Sequence, residues 1–287
     1  MISVYSIYKK GLLDIRRQKK MLFLLYGFNL LFAYLMSLTF SGMLQKALDH
    51  TIMADKLLKA FDFTALIILF DVYGKGVTLG WSIFVFIVFY LLLSTYFSGG
   101  VVRLLCSGMK FTLQDFLNGC TVYFARFFRL LVLSYGSLLV IFAIYFMIGG
   151  LLDAITANTT TEFWPFLLSI FRVFLLAIIL AWFNMVLDYT KIEIVIGDSQ
   201  QVYRSLKQIM IFIMKNFGAT TTLYGFLLLT CFFFILLYLT IEHVIPVDSV
   251  LGVILFFVFT QIYIISRVWL RLSFYKGQIS LYTQYAV

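Results

Sequence analysis

Twenty-five consecutive residues, Thr78 to Val102, carry no charge at all, and five other runs of similar length carry almost none. They span about Met21–Leu44, Phe127–Gly149, Trp164–Tyr189, Gly218–Ile241 and Val247–Leu270. Roughly 20 apolar residues in a helix cross the hydrocarbon of a bilayer. In lipid a backbone must satisfy its own hydrogen bonds, so such a run folds as a helix. The expected fold is all-α: a polytopic membrane bundle of six transmembrane helices, with amphipathic helices at the interface. The whole chain, 1–287, reads as one integral membrane domain with no soluble part. Composition agrees, at 63% hydrophobic and 12% charged with a mean hydropathy of +1.01, which excludes the soluble classes. The net charge of +9 could speak for nucleic acid. The cations instead cluster beside the apolar runs, as membrane proteins place them, so no nucleic-acid partner is expected. Cys106, Cys120 and Cys231 are odd in number and far apart, with no metal knuckle or disulfide framework.

The connections set the orientation. Residues 1–20 carry Lys9, Lys10, Arg16, Arg17, Lys19 and Lys20 against Asp14 alone, with an apolar stripe of Tyr5, Tyr8, Leu12 and Ile15. They read as an interfacial helix rather than a signal peptide, because the following apolar run is too long and lacks a cleavage site. Residues 45–77 balance their charges. Leu44, Leu48, Ile52, Leu58 and Phe61 predict a surface helix there, and Phe63–Phe70 is too short to cross. After the second run, Thr112-Leu-Gln-Asp115 resembles a capping box, and Phe116, Cys120, Tyr123 and Phe127 predict a second short amphipathic helix. Every even-numbered connection, and both termini, carries net positive charge; the odd ones are neutral or acidic. The positive-inside rule then places both termini in the cytoplasm, in the inner membrane of a bacterium.

The longest amphipathic pattern outside the apolar runs lies within Asp188–Gly218. Tyr203, Leu206, Met210, Ile213 and Phe217 form one stripe, with Arg204, Lys207, Gln208 and Lys215 off it. Asp198 or Ser199 is the expected N-cap, and Gly218 the expected end or bend. A helix of this kind lies in the membrane interface with its cations toward anionic headgroups. Lys19, Lys20, Arg204, Lys207 and Lys215 are the expected membrane-interface residues, and the lipid bilayer the expected partner. Three basic amphipathic segments, 1–20, about 111–126 and about 199–216, each precede a pair of apolar runs. That order reads as a parallel threefold hairpin repeat, or as no more than the ordinary look of cytoplasmic loops in a basic membrane protein.

The string DYTKIEIVIGDSQQVYRSLKQ, closed by KNFG, resembles a broad group of bacterial polytopic membrane proteins. The group includes the membrane domain attached to some glycerophosphodiester phosphodiesterases and the related YciC-like proteins. Arg271-Leu-Ser-Phe-Tyr-Lys276-Gly after the last run adds to the likeness. The resemblance implies a membrane fold; the catalytic domain of those relatives is absent here, so it implies no hydrolase residues.

No catalytic residue, metal site or cofactor is expected. His50 and His243 both fall in outward connections, and His243 with Glu242 and Asp248 reads as a solvated turn rather than a cation site. Arg172 is the one charge well inside a run, about 12 Å from its start. It is read either as an anion or lipid-headgroup contact, or as a structural or snorkelling residue paired with Glu162, Glu242 or Asp153. Asn184 and Asp188, one turn apart, are candidates for contacts to neighbouring helices, and with Arg172 make up the candidate substrate- or lipid-binding set. Asn158-Thr159-Thr160 spells a glycosylation sequon that means nothing in a bacterial membrane. The function expected is a non-enzymatic integral membrane subunit or accessory protein of a larger complex. The alternative is a transporter of a small or lipidic anionic substrate.

Overall fold

The computed structural model describes residues 4–48, 78–156, 163–245 and 249–285. Among them are eight α-helices, one short 3-10 segment and no strand. In chain order the helices are α1 (Val4–Asp14), α2 (Lys19–Leu48), α3 (Thr78–Ser107), α4 (Leu113–Thr156) and α5 (Phe163–Ile196). Then come α6 (Val202–Lys215), α7 (Phe217–Val244) and α8 (Val250–Tyr285). Six of them, α2, α3, α4, α5, α7 and α8, are long and apolar enough to cross a membrane, so the chain is a multi-pass membrane protein. Of the surface helix expected over Leu44–Phe61, residues 44–48 are the end of α2 and the rest lie outside the described residues. The run Phe63–Phe70, His50, Glu162, Asp248 and the sequon lie outside the described residues, as does the Asp153 side chain.

The chain forms two compact units, residues 23–94 and residues 1–22 with 95–287. In the smaller, the adjoining parts of α2 and α3 run antiparallel. Phe28 stacks on Tyr90, Phe32 meets Phe86 and Phe89, and the Tyr90 hydroxyl donates to Asn29 Oδ1 at 3.0 Å. Aromatic rings fill this seam because in lipid the helices gain from van der Waals fit rather than from expelling water.

The larger unit is built from two antiparallel hairpins, α4/α5 and α7/α8, with α1 and α6 laid against them. Tyr238 stacks on Tyr263, and Tyr224 meets Phe274 edge-on, along the α7/α8 seam. At 1.5 Å per residue, α4, α5 and α8 are roughly 66, 51 and 54 Å long, well beyond the ~30 Å of hydrocarbon. The buried core occupies one end of this length, where the cations lie: Val101–Leu105, Phe116–Leu130, Met185–Ile194, Ile209–Ile213 and Leu270–Leu281 supply most of it. We call this the basic end. At the far end α4, α5, α7 and α8 present Leu139, Phe146, Phe166, Phe174, Phe233 and Phe257 outward.

Several local expectations shift. The second amphipathic segment is not a separate helix. It is the first turns of α4, started as expected by the Thr112 hydroxyl bonding the Asp115 carboxylate while the Asp115 amide donates back to Thr112 Oγ1. Gly108, at φ +65°, ends α3 by returning its amide to Leu104, a left-handed position that glycine takes without strain. On α1 the buried face is Ile7 and Gly11; of the expected stripe Ile15, just past the helix, is buried, Tyr8 and Leu12 are half-buried and Tyr5 is exposed. Gly11 lies so close to α8 that a Cβ there would stand 3.1 Å from the Gly277 backbone, and the Tyr8 hydroxyl bonds Thr230 of α7 at 2.7 Å. The first and last described helices therefore pack together at the basic end.

α6 is turned from its expected stripe. Val202, Ser205, Ile209, Phe212 and Ile213 are buried against the bundle, while Tyr203 is 75% exposed and Phe217 is exposed. Its N-cap is Gln201. Asp198 instead holds a left-handed φ of 44°, and the Ser199 hydroxyl bonds Ser205. The break before α7 comes at Asn216, whose amide closes on Phe212; Gly218 lies in the first turn of α7. A stripe read from hydropathy alone finds the whole apolar arc of the wheel, and here that arc is shared between protein and an exposed band.

Candidate functional site

The densest polar chemistry lies where α5, α7 and α8 meet. α5 and α8 run parallel there, because Asp188, Lys191 and Glu193 meet Arg271, Tyr275 and Tyr282 in ascending order. Asp188 is 0% exposed. Arg271 grips it with both arms of the guanidinium, Nη1 to Oδ2 at 3.2 Å and Nη2 to Oδ1 at 3.0 Å. The planar fork matches a carboxylate, so this is the strong form of an ion pair. Lys191, one turn along α5, adds a second cation at 3.9 Å. Tyr275 sits under both cations: its hydroxyl accepts from Arg271 at 3.0 Å and from Lys191 at 3.4 Å, and its ring lies 4.8 Å below the Arg271 guanidinium carbon. A carboxylate without exposure needs such partners, since an unpaired charge in the interior costs several kcal/mol.

Around this pair the polar contacts continue. Asn184 Nδ2 donates to the Tyr224 hydroxyl at 2.7 Å, tying α5 to α7. The Tyr282 hydroxyl donates to Glu193 at 2.5 Å, and its ring meets Phe212 of α6 at 4.8 Å. Lys276 donates to the Leu105 carbonyl at 3.1 Å, joining α8 to the end of α3. Gln278 and the Tyr189 hydroxyl are buried among these groups without a hydrogen-bond partner among the described residues. Further out, Arg126 of α4 reaches Asp198 at 2.5 Å. Asp198 is mostly exposed, and a pair of that kind contributes at most about 1 kcal/mol.

Of the residues singled out in the sequence, Asn184 and Asp188 are in this cluster. Arg172 is not; it stands twelve residues earlier on α5, about 18 Å of helix rise away. Its guanidinium lies 5.3 Å over the Tyr145 ring of α4 and fills the space a side chain at Gly149 would take. Lys19, Lys20, Arg204, Lys207 and Lys215 are all exposed. Sequence reasoning missed Arg271, Lys191, Tyr275, Tyr224 and Tyr282 as site residues. A signal existed: the two strings that carry the resemblance, 188–218 and 271–277, hold the two halves of the ion pair. Among the described residues no group of His, Cys, Asp and Glu could hold a metal ion.

The arrangement is suited to holding three helices in one register, and its carboxylate is fully engaged by cations rather than aimed at a cavity. Comparison with known families, curated proteins and solved structures finds no match to this chain.

Proposed function

We propose that this chain is a non-enzymatic integral membrane subunit or scaffold of a larger complex, set in the bacterial cytoplasmic membrane with both termini in the cytoplasm. The observation that carries the reading is the contrast between the two ends. In the most apolar window of α5 no residue is buried by the chain itself, and in those of α4 and α8 only 6% are. The polar cluster at the basic end, by contrast, spends its charges on its own helices. A surface of this kind offers apolar helix faces to lipid or to other membrane chains. The transport reading expects Arg172 and Asn184 to open on one cavity. Each is engaged with its own neighbour, Tyr145 and Tyr224, about 18 Å apart along one helix, which favours the subunit.

Purification from membranes in mild detergent tests this. Partner chains at fixed stoichiometry are expected; a lone chain or homo-oligomer with a continuous polar passage would reverse the assignment toward transport. Orientation is read separately, from Asn158→Cys and Gln208→Cys. Position 158 should label in intact cells and position 208 only after lysis.

A further inference from the structure

We infer that Arg267 and Arg271 of α8, with Lys191 of α5, form a binding site for the phosphate of an anionic phospholipid at the inner boundary of the membrane. The site rests on the orientation proposed above. Three observations carry it. The first is charge. Lys191 and Arg271 stand on Asp188, Arg267 lies one turn before Arg271 on α8, and the second carboxylate, Glu193, accepts from the Tyr282 hydroxyl. Arg267 has no hydrogen bond or ion pair among the described residues; it is exposed and lies 5.9 Å over the Tyr263 ring. One positive charge, that of Arg267, therefore remains beyond what the two carboxylates balance. Arg271 still shows 44% of its side chain, and its bonds to Asp188 and Tyr275 use three of its five N–H donors.

The second observation is shape. The hydrogen bonds and ion pairs that join α5 to α8 lie between residues 188–193 and 271–282. Toward the far end the apolar window of α5 is unburied, while α7 stays on α8 through Tyr238 and Tyr263. The exposed faces of α5 and α7 on either side of α8 form the inferred groove, and the Asn184–Tyr224 bond lies at its basic end. Arg267 stands one turn above Arg271 and about 40° round α8. That places it between the stripe that meets α5 (Arg271, Tyr275, Tyr282) and the stripe that meets α7 (Tyr263, Phe274). Ile170 and Val173 of α5, on the face of Asn184, and Leu228 of α7, one turn from Tyr224, are exposed apolar side chains.

The third is depth. Arg267 and Arg271 lie about 26 and 32 Å along α8 from Val250, which brackets the ~30 Å of hydrocarbon. A cation at that depth meets lipid phosphates, and basic pockets between helices on the cytoplasmic side suit anionic headgroups. A lipid whose phosphate sits on the arginines would lay its acyl chains along the groove, with both parts of the site matched at once.

The test is retention of lipid by the purified chain in nanodiscs of equal phosphatidylglycerol and phosphatidylcholine, counted by native mass spectrometry. Phosphatidylglycerol is expected to dominate the bound lipid, and Arg267→Gln to lower that preference roughly fivefold, the effect of about one lost cation–lipid contact. Arg204→Gln with Lys207→Gln, on the exposed face of α6, should lower it by less than Arg267→Gln does. Because Arg271→Gln alone would strand Asp188, the paired variant Asp188→Asn/Arg271→Gln serves instead and should also lose preference. Equal retention of both lipids, or a preference that follows the α6 variant and not Arg267, overturns the site. So does displacement by millimolar inorganic phosphate, which would mark a soluble-anion site. A chain that purifies without partners overturns the subunit reading and leaves this lipid count untouched.

Discussion

Asp188 shows how one residue can be tolerated in an apolar helix. Its charge is admissible because Arg271 supplies two donors in one plane and Lys191 a second cation. Removing either partner strands the other. Asp188→Ala should therefore lower stability by about 3–5 kcal/mol, visible as a fall in thermal midpoint in detergent, while Asp188→Leu/Arg271→Leu should recover most of that loss. A double variant as unstable as the single one would show that the pair is not the source of the stability. Glycine matters by position in the same way. At Gly100 a Cβ would meet the Phe116 carbonyl oxygen at 2.5 Å and the Cys120 sulfur at 2.7 Å, whereas at Gly136 it meets nothing within 4 Å. Gly100→Ala is expected to destabilise by about 1–3 kcal/mol from overpacking. Gly136→Ala should be neutral or stabilising by up to about 1 kcal/mol, since alanine is the better helix former.

At the scale of the element, α6 has three faces. One packs on the bundle (Val202, Ser205, Ile209, Phe212, Ile213). A second is apolar, half-buried at Leu206 and Met210 and exposed at Tyr203 and Met214, and a third carries Arg204, Lys207, Gln208 and Lys215. A helix with protein on one side and water on another has lipid for the remaining face. A fluorophore on Met214→Cys should be quenched by spin-labelled lipid, and one on Gln208→Cys by aqueous iodide; the reverse pattern would put α6 in water. Existence and order of the long helices were legible in the sequence because long uncharged runs have few alternatives in lipid. What was not legible follows from physics too. Hydropathy does not distinguish an apolar face that meets protein from one that meets lipid, so the stripe on α6 came out rotated. It also stops where charge begins, so α5 and α8 were expected to end near Tyr189 and Leu270. They continue to Ile196 and Tyr285, since an ion pair between helices lets charged residues stay helical. Arg271 was missed for the same reason: a cation at the end of an apolar run reads as an interface marker until its partner, 83 residues away, is seen.

For the whole molecule, the balance lies at the basic end. There the helices run on past the length a bilayer needs and pack as an ordinary buried core, with serine, threonine and glutamine at zero exposure among apolar side chains. The far end has little of this. Its helices meet in pairs, and their outward faces are those a lipid or another membrane chain would cover. Limited proteolysis in detergent should accordingly spare the basic-end segments 185–194 and 270–281. Hydrogen exchange should be slowest there, because opening that core requires breaking the ion pair and the packing together. Fastest exchange in those segments would contradict a core located at the basic end.

The contact of Gly11 with Gly277 has a consequence for biosynthesis. α1 leaves the ribosome well before α8, and the backbone it seats against is made some 266 residues later. At ~5–20 residues per second, that is roughly 13–50 seconds during which α1 lacks its seat. Asp188 and Lys191 likewise enter the bilayer before Arg271 exists. The nascent chain therefore holds a basic N-terminal helix open at the membrane surface and closes it only when α8 arrives. Ribosome-arrested chains stopped before residue 277 has emerged should be cut within α1 by added protease, and chains arrested well beyond it should be protected.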